Sequence, residues 1–108
     1  MGILGLPEIK QIGITIVEKW LSDNGYSNIL PESIESDDHL LRATGKLETL
    51  LLQIKTSVFP LEPEKLSEKE IDNLTTKANY LKMIAYAAYV VIGFDGSIIG
   101  EIIWQRLN

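Results

Sequence analysis

The run LETLLLQIKT, Leu47 to Thr56, constrains this chain more than any other stretch. Leu50, Leu51, Leu52 and Ile54 are too apolar for solvent, yet Gln53 and Lys55 interrupt the end of the run at a spacing of two. Alternation at two is the period of a strand, so the stretch predicts a β-strand with Gln53 and Lys55 turned to one face, together with Leu51 and Leu47. The preceding DHLLRAT, Asp38 to Thr44, is apolar enough to pair with it, and Gly45-Lys46 between the two runs predicts a hairpin.

The flanking segments add helices. LPEIKQIGITIVEKWLSDNGY carries Pro7 in a first turn and an apolar stripe of Ile9, Ile12, Ile16, Trp20 and Leu21, and Gly25 stands where a left-handed helix end belongs. SNILPESIES reads as extended, with Pro31 restricting it to an edge or irregular strand. After the proline-rich VFPLEPEKL, Ser67 and Glu70 form a capping box opening a second helix. Ile71, Leu74, Ala78, Leu81 and Ala85 carry that helix to about Tyr86. AYVVIGF and SIIGEIIWQRL then flank Asp95-Gly96, a strong hairpin signal. The expected architecture is a single α/β domain over residues 1–108, a mixed sheet flanked by helices in the order αβββαββ.

Composition excludes several functions. With 108 residues there is room for one core, and without cysteine there is no disulfide, thiolate metal site or cysteine nucleophile. The longest uncharged run, Met83 to Phe94, falls short of the roughly 20 residues of a membrane span, and the first residues lack a basic segment before their apolar ones, so a cytoplasmic protein without a membrane partner is expected. Ten Lys and Arg against fifteen Asp and Glu give a net charge of −5, which argues against coating nucleic acid by bulk charge while leaving room for a local basic site. A hydrophobic content of 45% with a mean hydropathy of +0.09 is high for a domain of this size and predicts an apolar contact with another chain, a homodimer or a partner protein.

If Gly45-Lys46 is a two-residue loop, Asp38 lies directly across from Gln53 on the same face, while Asp37 opposes Ile54 and points to the other side; a loop one residue longer would reverse which of the two shares the Gln53 face. An Asp carboxylate, a Gln side-chain oxygen and the Ile54 carbonyl are hard oxygen ligands of the kind Mg²⁺ accepts. A lysine beside them suits charge stabilisation at a phosphoryl group. Asp38 followed by Leu40-Leu41, a turn, and a strand ending in Gln53-Ile54-Lys55 resembles the PD-(D/E)xK (restriction-endonuclease-like) nuclease superfamily in its QxK variant, as in Mrr-type enzymes. The spacing of Gly13 from Gly25-Tyr26 is similar to the first helix of its small Holliday-junction-resolvase-like members.

The resemblance implies a restriction-endonuclease-like core and a Mg²⁺- or Mn²⁺-dependent deoxyribonuclease acting on DNA, branched and single-stranded forms included. Asp38 and Gln53 would hold the metal, Lys55 would serve the scissile phosphate, and Glu18 would assist. Lys77 and Lys82 on the second helix are candidate contacts to the DNA backbone. The chain departs from the pattern at Ile14, where small resolvase-like members carry a Glu, and at the neutral Gln53; Glu18 lies one turn after Ile14 on the same helical face. Two functions therefore stand side by side: an active endonuclease, and a catalytically inactive nuclease-fold protein serving as an interaction or assembly module. An unrelated α/β binding domain is a third reading.

Overall fold

A computed structural model describes residues 5–32 and 40–108. Its elements are α1 (Leu6–Asp23), β1 (Ser27–Glu32), β2 (Leu40–Thr44), β3 (Thr49–Val58), α2 (Glu68–Tyr80), β4 (Ile84–Ile92) and β5 (Ile103–Arg106). The strands form one mixed sheet in the order β1-β2-β3-β4-β5. β1, β2 and β3 are an antiparallel meander, β4 lies parallel to β3, and β5 closes the far edge antiparallel to β4. A parallel pair needs a crossover connection, and α2 supplies it.

The two helices cover opposite faces. α1 packs Val17 and Leu21 onto Leu41, Ala43, Leu50, Leu52, Ala88, Val90 and Ile92. α2 packs Leu74 and Ala78 onto Leu40, Leu51, Ala85, Ala87 and Tyr89. Being covered on both sides explains why β3 and β4 are nearly continuous apolar runs rather than alternating ones. Leu51, Leu52, Ala85, Ala87, Ala88 and Val90 are all fully buried.

Local chemistry sets the helix ends. α1 has Pro7 in its first turn, and Gly25 follows its end at φ 89°, with Tyr26 N–H reaching back to the Leu21 carbonyl. Gly13 faces β3 so closely that a Cβ there would lie 1.8 Å from Thr56 Oγ1. At α2 the capping box forms as expected, with Ser67 Oγ accepting from Glu70 N–H and Glu70 Oε1 accepting from Ser67 N–H.

Two expectations are corrected. α2 stops at Tyr80, not near Tyr86: Leu81 is its C-cap, Lys82 is left-handed at φ 59°, and β4 begins at Ile84. The 3-and-4 spacing that suggested helix continues through Ala85, but IAYAAYVVI is rich in the β-branched and aromatic residues that fit a central strand. The β2–β3 connection is four residues, Gly45 to Glu48, closed by Gly45 N–H to the Glu48 carbonyl at 2.7 Å, so Leu40 and not Asp38 is paired with Gln53. Leu47, read as the first residue of the strand, is 99% exposed at the hairpin tip.

The Asp95-Gly96 turn is present, with Gly96 at φ 83° and Gly93 N–H bonded to the Ser97 carbonyl. Beyond the single bridge Ile92–Ile98, regular pairing of β4 with β5 waits until Ile103. Among the described residues no helix is long and apolar enough to cross a membrane.

Candidate functional site

β3 is the central strand, and its odd-numbered residues face α2. Gln53 lies there at only 4% exposure, between Leu40 on β2 and Ala87 on β4, and is the one buried polar residue among those described. An amide so placed must find partners, because burying it unpaired costs about 1–3 kcal/mol. Its Nε2 donates to Glu70 Oε2 at 2.8 Å. Two residues on, Lys55 Nζ makes an ion pair with the same Oε2, also at 2.8 Å, and the two side chains are 27% and 21% exposed.

Glu70 thus gathers the site. Its Oε1 accepts from the Ser67 backbone, and its Oε2 accepts from both β3 side chains. Burial raises its carboxyl pKa, but the hydrogen bond from Lys55, the Ser67 N–H and the lysine charge outweigh that, leaving it below its ordinary value of 4.5. Sequence reasoning marked Glu70 only as a capping residue. Its second role follows from the crossover, which returns the first turn of α2 to β3 seventeen residues after Gln53.

Beyond this cluster the same face carries Tyr89, whose hydroxyl donates to Gln105 Oε1 at 2.7 Å and accepts from Leu66 N–H at 3.4 Å. Lys65 Nζ stands 4.7 Å over its ring.

Of the other candidates, Asp38 lies outside the described residues, as do Asp37 and His39. Glu18 is on α1 and so on the opposite face from Gln53 and Lys55. It lines a recess of about 200 Å³ with Ile14, Pro31, Leu40, Leu41 and Ile54. It therefore reaches the start of β2 from the other side of the sheet. Lys77 is in the last turn of α2, about 10 Å along the helix axis from Glu70, and Lys82, expected on the helix, lies beyond its C-cap in the turn to β4. The structure brings Gln53 and Lys55 together and does not bring Glu18, Lys77 or Lys82 to them.

Among the described residues no group of three or more acidic or histidine side chains could hold a metal ion. Gln53 turns its amide nitrogen to Glu70, which leaves its Oε1 as a hard oxygen donor. The described donors by themselves fall short of a Mg²⁺ or Mn²⁺ site. No family model and no curated protein matches the chain.

Proposed function

We propose that the chain is a restriction-endonuclease-like domain that hydrolyses phosphodiester bonds in DNA, branched or single-stranded forms among its substrates, with Mg²⁺ or Mn²⁺. The observation that carries this reading is the buried amide and the lysine two residues on, side by side on the central strand at the end of an apolar run. A strand end that merely enters solvent has no use for a buried Gln. A five-stranded mixed sheet with two helices is an α/β fold compatible with this reading.

Asp38 and the Gln53 oxygen would hold the cation, which when bound polarises the phosphoryl group and acidifies water. Lys55 stabilises the negative charge that develops on the phosphate: its ammonium has several donors and Glu70 takes only part of them. Lys77 and Lys82 contact backbone phosphates away from the cleaved bond.

A second reading, a catalytically silent nuclease fold acting as an assembly module, is favoured by one feature: Glu70 already neutralises Lys55 in a chain of net charge −5. The exposed Phe94, Ile98, Ile99 and Ile103, gathered in β5 and the segment before it, would then serve contact with a second copy or a partner protein.

Calorimetric titration with Mn²⁺, together with nicking of supercoiled, branched and single-stranded DNA, separates the two. For the enzyme, Asp38→Ala abolishes metal binding, Gln53→Glu preserves or strengthens it, and Lys55→Ala retains it while eliminating cleavage. Wild type that neither binds Mn²⁺ nor nicks DNA makes the silent module the better reading.

A further inference from the structure

We infer that Glu70, a residue to which the nuclease resemblance assigns no role, is the positioning residue of the site: it fixes the Lys55 ammonium and the Gln53 amide at once and ties both to the first turn of α2. The inference rests on the phosphodiesterase reading for its catalytic consequence and on geometry alone for the positioning itself.

Every acceptor of this carboxylate has a defined task. Oε1 receives the Ser67 N–H at 3.0 Å, and Oε2 receives Gln53 Nε2 and Lys55 Nζ, each at 2.8 Å. Donors on both oxygens fix the plane of the group, and the capping box fixes the helix turn that carries it. A lysine is a long, flexible stem, so an ammonium without such a partner would sample many positions over the sheet. Bonded to Glu70, Lys55 presents its remaining N–H groups in one direction. Gln53 is oriented by the same bond, since an amide that donates to Glu70 must turn its oxygen elsewhere.

Two features make Glu70 specific for this role. No neutral replacement offers two acceptor oxygens, so Glu70→Gln cannot serve the cap, the amide and the ammonium together. A shorter acid fails for reach: Glu70→Asp withdraws the carboxylate by one methylene from partners on another element.

The test compares Glu70→Gln with Asn73→Gly, which weakens α2 at an exposed position one turn beyond Glu70 whose side chain takes no part in the hydrogen bonds and ion pair of the cluster. Two readouts are taken on the whole chain: turnover and KM in Mn²⁺-dependent DNA nicking, and the rate of Lys55 acetylation by acetic anhydride, followed by mass spectrometry. Glu70→Gln is expected to lower turnover by about 10²-fold, the cost of an ångström-scale misplacement, with KM changed less than about twofold. It should also raise Lys55 acetylation several-fold over wild type. Asn73→Gly should leave turnover per folded molecule and Lys55 acetylation at wild-type levels.

Turnover in Glu70→Gln equal to wild type, or equal Lys55 acetylation in the two proteins, overturns the inference. So does an Asn73→Gly variant that reproduces both changes, since the effect would then belong to helix stability. If wild type cleaves nothing, the nuclease reading fails by itself, and acetylation alone decides whether Glu70 holds Lys55.

Discussion

Gly13→Ala should destabilise the protein although it places a better helix former inside α1. In an open helix the exchange would gain about 1 kcal/mol. Here the new Cβ would sit 1.8 Å from Thr56 Oγ1, 2.9 Å from its Cβ and 3.1 Å from its Cγ2. Rotating the threonine side chain moves Oγ1 and Cγ2 but cannot relieve the Cβ contact, so α1 must retreat from β3. Retreat loosens Val17 and Leu21, both fully buried on that face, and a gap of 0.5–1 Å forfeits roughly a quarter to a half of each contact. Overpacking of this kind costs about 1–3 kcal/mol, and hard overlap places Gly13→Ala at the top of the range or above it. The net expectation is a loss of about 2 kcal/mol, or a fall in Tm of roughly 8–16 °C.

Urea unfolding followed by tryptophan fluorescence suits the measurement, because Trp20 on α1 packs against Trp104 in a tilted pair with ring centroids 4.7 Å apart. Thr56→Gly should rescue Gly13→Ala in a double-mutant cycle, with a coupling of at least about 1 kcal/mol, and Thr56→Ala should rescue it only in part. A Gly13→Ala protein as stable as wild type would refute the close-approach argument.

Other outcomes follow from the same contacts. Because the Glu70 pKa is depressed in the folded state, its contribution to stability is present above its ordinary value of 4.5 and is lost as pH falls through the lower, folded value; Glu70→Gln should flatten that acid limb of a stability-versus-pH profile. Ser67→Ala removes the side-chain acceptor for Glu70 N–H and should cost about 1 kcal/mol by denaturant titration. Asn108→Ala should cost about 1–3 kcal/mol in the same assay, because the Asn108 amide oxygen accepts from the N–H of buried Ala85 at 2.8 Å and that donor would be left unpaired.

Much of the fold was legible where a local rule and the tertiary structure agree. Pro7 and Gly25 bracket α1, and Ser67 with Glu70 opens α2, because caps answer to neighbouring backbone groups. Legibility failed where two rules compete. Leu47 extends the apolar run of β3 by sequence, but the turn claims it, and Gly45 is needed there because a Cβ would come 2.8 Å from the Tyr26 ring. Leu81 and Ala85 fit helical spacing, yet the demand for a buried parallel strand next to β3 overrides it. In the candidate site, Gln53 and Lys55 could be paired by alternation alone, whereas Glu70 could not be joined to them without knowing where the crossover lands. The two glycines Gly13 and Gly25 have separate physical reasons, the close approach to Thr56 for the first and a left-handed helix end for the second.

The parallel pairing of β3 with β4 also dictates an order of assembly. The meander of β1, β2 and β3 joins neighbours in sequence and closes short loops, whereas aligning Leu50 with Ile84 requires the whole intervening connection and helix to be in place. Contacts between distant parts of a chain form slowly, because loop-closure entropy is lost before they contribute. A nascent chain that has made only its meander therefore holds Gln53 and Lys55 without their shared carboxylate, and the site becomes a site in the same late step that completes the sheet.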